Sequence, residues 1–157
     1  MYRRNLPHIQ KPDAAHFVTF RTRNGFELPS AARDLVLQHC LHDNGKLIEL
    51  HAVVVMPNHV HLLFTPLRNQ AGESYTLAKI MNGIKGASAH SVNKVLHRKG
   101  SLWLDESFDR VVRSASELGE KILYLIGNPL RAGLARHPDA YPWQCRETQP
   151  RAAVPQQ

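Results

Sequence analysis

The chain has 157 residues, 43% of them hydrophobic, and carries 20 Lys and Arg against 13 Asp and Glu, for a net charge of +7 and a pI near 9.8. That length suits one domain with a sizeable core, and the apolar runs, about ten residues or fewer, exclude a membrane span. Two cysteines, Cys40 and Cys145, exclude a disulfide framework or a paired-cysteine zinc site, whereas the basic balance favours a polyanionic partner such as nucleic acid.

The opening Met-Tyr-Arg-Arg-Asn-Leu-Pro-His has no apolar core after its charges, so no export signal is expected, and free thiols fit the reducing cytoplasm. His16 to Arg23 then predicts a strand, with Phe17 facing opposite to Val18 and Phe20, followed by a turn at Asn24-Gly25. Pro29-Ser30 opens a helix to about His42, with Leu35, Val36, Cys40 and Leu41 as its apolar stripe, and Asn44-Gly45 closes it. Strands follow at about Lys46 to Val55 and His59 to Thr65, and the short Met56-Pro57-Asn58 link makes them an antiparallel pair.

Beyond a polar loop at Asn69 to Ser74, Leu77, Ile80, Met81, Ile84, Ala87 or Ser88, Ser91 and Val95 mark a long helix with Lys79, Lys85, Lys94 and Arg98 on its exposed flanks. Gly83 and Gly86 weaken that helix, and Lys99-Gly100 breaks it. Phe108 to Arg113 gives a fourth strand. A last helix shows Leu118, Ile122, Leu125 and Ile126 at helical spacing and stops where Pro129 follows Asn128. The β-α-β-β-α-β order fits an α+β, ferredoxin-like sandwich, a four-stranded antiparallel sheet with helices on one face, spanning 1–148 as a single domain, with an unrelated α+β fold ranking close behind on the order alone. Pro150, Pro155 and Gln156-Gln157 predict a mobile C-terminal tail over 149–157.

Within Val53 to Phe64, His59 and His61 stand two apart and therefore project to one face of their strand, while Val60, Leu62 and Phe64 project to the other. Imidazole is the commonest protein metal ligand, and two on one strand face can hold a divalent ion. Alternation alone also yields such pairs on a half-exposed strand. In the last helix Tyr124 and Asn128 are i and i+4, so a phenol hydroxyl and an amide carbonyl can reach one site. The plainer reading makes Tyr124 an amphipathic packing residue and Asn128 a helix-terminal one. His39, Cys40 and His42 form a further cluster, but it lacks a fourth ligand and a zinc-site pattern.

Together these segments resemble the single-strand-acting HUH tyrosine transposases of the IS200/IS605-like group, and within them the REP-associated tyrosine transposases. The resemblance is carried by His16-Phe-Val-Thr-Phe-Arg-Thr-Arg23, Met56-Pro-Asn-His-Val-His-Leu-Leu63, Gly100-Ser-Leu-Trp103, Glu106-Ser-Phe-Asp-Arg110 and Tyr124-Leu-Ile-Gly-Asn-Pro-Leu-Arg-Ala-Gly-Leu134, in the family's order. It implies the ferredoxin-like fold, with the tyrosine on an added helix beside the sheet. It also implies Tyr124 as the nucleophile that attacks single-stranded DNA near imperfect hairpins, giving a 5′-phosphotyrosine and a free 3′-hydroxyl. His59, His61 and Asn128 are then the ligands of Mg²⁺ or Mn²⁺, with His51, one strand away, as a substitute ligand.

A tyrosyl phosphodiester keeps the energy of the bond it replaces, so strand transfer needs no ATP. Basic residues that could neutralise phosphates are Arg3 and Arg4, with Lys11, in an N-terminal arm, Arg21 and Arg23 on the first strand, and Arg110, Arg113, Lys121 and Arg131 around the last helix. Trp103 or Phe108 could stack on an unpaired base or lie in the core. The expected partner is single-stranded DNA with hairpin or palindromic repeats, bound by a monomer or homodimer in the cytoplasm, with no membrane partner. Two other readings of the same residues stay open: a hairpin-binding protein without turnover, and a metal nuclease that uses water.

Overall fold

The computed structural model describes residues 13–147. Both faces of its central strands are buried: on β1 (Ala15–Arg21) Phe17 alternates with Val18 and Phe20, and on β3 (His59–Pro66) His61 and Leu63 alternate with Val60, Leu62 and Phe64. A sheet with two apolar faces must be covered on both. With β2 (Ile48–Val55), β4 (Phe108–Val112) and β5 (Gln144–Arg146), these strands form one antiparallel sheet in the order β4-β1-β3-β2-β5.

The first four strands have the expected ferredoxin-like arrangement. The sheet has five strands rather than four, because β5 adds to the β2 edge. Its three residues are too few to show a period, and neighbouring side chains fix its position. The Tyr141 hydroxyl donates to the Val55 carbonyl at 2.6 Å, and the Trp143 indole N–H donates to the Asp34 carboxylate at 2.7 Å.

Helices α1 (Ser30–His42) and α2 (Leu77–Leu96) cover one face, where Val36, Cys40, Ile80 and Ile84 meet Phe20, Val60, Leu62 and Phe64. Helix α3 (Ala115–Arg131) lies on the opposite face, where Leu125 packs with Phe17, Ala52, Val54, Leu63 and Val112. The added helix thus covers the face of the sheet opposite α1 and α2. No helix among the described residues is long and apolar enough to cross a membrane.

Several boundaries differ from expectation for local reasons. β1 ends at Arg21, because Thr22 pairs with Trp103 and the chain then makes a 3-10 turn at Arg23–Gly25, with Asn24 and Gly25 at φ of 60° and 66°. α2 runs unbroken through Gly83 and Gly86. Its buried stripe continues by fours through Ile84, Ser88 and Val92, so Val95 ends 49% exposed. Lys85 is not a free flank: its ammonium donates to the carbonyls of Leu104 and Asp105 and to the Ser107 hydroxyl.

α3 starts at a Ser114 cap, whose hydroxyl accepts the Glu117 N–H at 3.0 Å while the Glu117 carboxylate accepts the Arg113 N–H at 2.8 Å. It continues through Pro129 to Arg131 instead of stopping at Asn128. Proline costs a helix one N–H and crowds the carbonyl four residues back, but here only two helical residues follow. The late carbonyls are met from beyond the end, Asn128 by the Ala132 N–H at 3.0 Å and Pro129 by the Leu134 N–H at 2.8 Å.

Candidate active site

Strand alternation puts His59 and His61 under α3 and sends Val60, Leu62 and Phe64 into the other core. The two imidazole centroids are 4.8 Å apart at an interplanar angle of 79°. Each ring is fixed through Nδ1. His59 Nδ1 donates to Asn58 Oδ1 at 2.8 Å, and His61 Nδ1 shares a 2.8 Å hydrogen bond with the hydroxyl of Thr19, its direct partner across the β1–β3 ladder. Phe17 stacks on His61 at 5.5 Å and 16°. With Nδ1 protonated in each ring, Nε2 keeps the free lone pair, the arrangement in which a supporting group holds one nitrogen and leaves the other able to bind a metal.

Burial pushes His59 down to about 4, helped by the Arg21 charge, and pushes His61 down to about 3, with His59, Arg21 and Arg131 adding to the effect. Both rings are therefore neutral at pH 7, the form that donates a lone pair.

Tyr124 comes to the same place from α3. Its ring is 47% exposed and meets His61 edge-on at 5.9 Å and Phe17 at 6.1 Å. The Arg131 guanidinium lies 4.4 Å from the centre of the Tyr124 ring and donates to the Tyr124 carbonyl at 2.6 Å. Asn128 follows Tyr124 by one turn, and its Nδ2 is buried without a hydrogen-bond partner, a situation that buried amides rarely tolerate. That unpartnered NH₂ group is a donor and does not itself call for a cation; the fit to a divalent ion rests on the two neutral imidazoles, with the amide carbonyl oxygen of Asn128 as the atom of that side chain able to join them and other positions left to oxygen ligands.

The basic residues divide into two groups. Arg21 lies opposite His59 in the ladder, and its charge reaches both imidazoles, whereas that of Arg131 reaches His61. Lys121 places its ammonium 5.4 Å from the Phe17 ring. Arg110, opposite Phe17 on β4, pairs with Glu117 at 3.3 Å, and Arg113 is exposed where α3 begins. Arg23 does not join them: β1 has already ended, and its guanidinium turns to Asp105 at 3.4 Å. Arg3, Arg4, Lys11 and the tail 149–157 lie outside the described residues.

Trp103 belongs to the core, 4% exposed, edge-on to Phe20 at 4.7 Å and donating its N–H to the Ser88 hydroxyl at 3.0 Å, whereas Phe108 is 54% exposed. His39 bonds to the Ser91 hydroxyl at 2.8 Å, away from the fully buried Cys40 thiol, which burial pushes up to about 12.

His51 is not a substitute ligand for the His59–His61 pair. A β-bulge between Leu50 and Ala52 turns it toward Thr65 and Glu147 at the other end of β3. There Glu49, His51 and Glu147 bring ligand atoms within 4.8 Å of one another, a group able to hold a metal ion. Thr19 and Asn58 support the histidines without any motif of their own in the sequence. Thr19 becomes visible only once the β1–β3 register is known, but Asn58 stands directly beside His59.

The family model described as Transposase IS200 like matches residues 24–118, a stretch that contains His59 and His61 and ends before Tyr124 and Asn128. Among solved structures, that of a REP-associated tyrosine transposase bound to a REP hairpin aligns with a TM-score of 0.74 at 18% identity, covering 92% of this chain and 81% of the other. A putative transposase from Deinococcus radiodurans aligns with a TM-score of 0.49 at 22% identity, covering 82% and 97%. No curated protein matches the chain. The first of these structures shares the fold.

Proposed function

This chain belongs to the IS200-like transposase family, and from that premise we propose that it is a REP-associated tyrosine transposase. In this reading it is a metal-dependent enzyme that cleaves and rejoins single-stranded DNA near hairpins through Tyr124. The observation that carries the proposal is the convergence of the Tyr124 ring from α3 with the His61 ring from β3, 5.9 Å apart and beside His59. The hairpin substrate is taken from the fold relative, which is bound to a REP hairpin.

The scissile phosphate binds where the charges of Arg21 and Arg131 overlap with the histidines, and these cations offset its negative charge. His59, His61 and Asn128 would hold a divalent ion, Mg²⁺ or Mn²⁺, which when bound would supply polarisation of the phosphoryl oxygens. The Tyr124 oxygen attacks phosphorus and gives up its proton, a Tyr–O–P bond forms, and the bond to the 3′ oxygen breaks. That oxygen leaves as a protonated 3′-hydroxyl. Attack by a 3′-hydroxyl on the 5′-phosphotyrosine reverses the sequence and restores Tyr124, with no external energy source. Thr19 and Asn58 hold the imidazoles in the tautomer and orientation that the site requires. The net charge of +7 favours association with the cytoplasmic DNA on which such an enzyme acts.

End-labelled single-stranded hairpins incubated with the protein and Mg²⁺ or Mn²⁺, then resolved under denaturing conditions, test the proposal. The expected result is a metal-requiring covalent adduct that Tyr124→Phe abolishes. Cleavage that persists in the variant would instead identify a nuclease using water, and tight binding without cleavage would identify a hairpin-binding protein.

A further inference from the structure

Arg131 occupies an unusual position for a basic residue in the last turn of a helix. Such a side chain ordinarily extends into water near the terminal carbonyls. Here it runs back toward the helix N-terminus, lays its guanidinium 4.4 Å from the centre of the Tyr124 ring and donates to the Tyr124 carbonyl at 2.6 Å. The path crosses Gly127. A Cβ on Gly127 would stand 2.8 Å from Arg131 Nη1, and within 4 Å it would otherwise meet only the Cζ of that same guanidinium. At the other helical glycines, Gly83, Gly86 and Gly119, a Cβ would meet nothing within 4 Å. Glycine inside a helix is unfavourable, and at position 127 the space it leaves is used by one group alone.

We propose that Gly127 and Arg131 form a clamp in which the guanidinium, seated in the space left by the glycine, fixes the ring of Tyr124 for attack on the DNA phosphate. The inference rests on the reading of Tyr124 as the nucleophile. A half-exposed tyrosine on a helix surface samples several rotamers. A planar cation over its face, tied also to its backbone carbonyl, restricts that choice by cation–π attraction. Arg131 is thus a positioning residue. The guanidinium has five N–H donors, and the Tyr124 carbonyl takes one, so the clamp can still bind a phosphate oxygen. Positioning and charge are separable, because Gly127→Ala displaces the guanidinium without removing it.

The test compares wild type with Gly127→Ala, Arg131→Ala, Arg131→Lys and the Gly127→Ala/Arg131→Ala double variant. The readouts are single-turnover adduct formation at saturating hairpin, hairpin affinity with its salt dependence, and Tm. Gly127→Ala is expected to slow adduct formation about tenfold, equivalent to about 1.4 kcal/mol of activation free energy. Its affinity should stay within about twofold because the charge remains, and its Tm should be unchanged or higher because alanine is the better helix former. Arg131→Ala should slow the reaction at least as much, the double variant no more than Arg131→Ala alone, and Arg131→Lys should restore affinity but not rate. A Gly127→Ala variant at the wild-type rate, or a double variant slowed by the product of the single effects, would overturn the clamp. If wild type itself forms no Tyr124-dependent adduct, the nucleophile reading fails and takes the clamp with it. A wild-type adduct with an unaffected Gly127→Ala variant overturns the clamp alone.

Discussion

Acidification from pH 7 to pH 5 should destabilise this protein through His61 in particular. Burial, followed by the charges of His59, Arg21 and Arg131, holds the folded-state imidazole at about 3, against about 6.5 for an unfolded histidine. Between those values the unfolded chain binds a proton that the folded protein refuses. The contribution is therefore fully present above pH 6.5 and is lost as pH falls toward 3. For these two values the loss between pH 7 and pH 5 is about 2 kcal/mol, growing to about 4 to 5 kcal/mol below pH 3. His59 acts in the same direction, but it is more exposed and its share is reduced by solvent screening. The assay is urea unfolding at the two pH values with EDTA present, on wild type and His61→Gln. Glutamine retains a polar group for Thr19, and the other histidines contribute equally to both proteins. Wild type should lose about 2 kcal/mol more than the variant. Equal losses would show that His61 protonates freely in the fold, and would remove the argument that it is a neutral ligand at working pH.

Three further outcomes follow from particular residues. Ser114→Ala removes the hydroxyl that caps α3 and should cost about 1 kcal/mol in urea unfolding; an unchanged midpoint would mean that Glu117 and the backbone hold that end unaided. Gly83→Ala and Gly86→Ala enter open space on α2 and should each raise stability by about 0.5–1 kcal/mol, so a loss in Tm would contradict the packing described. Replacing Arg3, Arg4 and Lys11 together by Ala should weaken hairpin binding across sequences and flatten its salt dependence. Unchanged affinity would remove the arm from the interface.

Much of the fold is legible in the sequence because hydrophobic period and connectivity agree. The alternation of Val60, Leu62 and Phe64 against His59 and His61 places two faces on β3, and the strand and helix order admits the ferredoxin-like sheet, which the motif resemblance then selects over another α+β fold. What escapes is tertiary in origin. β5 is three residues long and is positioned by the Tyr141 and Trp143 hydrogen bonds rather than by any pattern of its own. Pro129 signals a stop, yet the helix needs only two residues more, and carbonyls near its end find donors beyond it. Arg23 follows the alternation of Arg21 on paper but loses it once Thr22 pairs with Trp103.

The site was legible in the same graded way. Spacing alone puts His59 with His61 and Tyr124 with Asn128, but only the packing of α3 over the sheet brings the Tyr124 ring to His61. The hydrogen bond between Thr19 and His61 depends on register across 42 residues. The path of Arg131 over Gly127 depends on side-chain direction, which no spacing rule supplies.

The most direct test of the account is to identify the residue that carries DNA. Protein reacted with a single-stranded hairpin and Mn²⁺ would be trimmed with nuclease, cut with trypsin and analysed by mass spectrometry. Cleavage after Lys121 and Arg131 isolates residues 122–131, in which Tyr124 is the one tyrosine. The expected product is a nucleotide joined through its 5′ phosphate to Tyr124 in that peptide. A nucleotide on another residue, or cut DNA with no nucleotide on the protein, would contradict it.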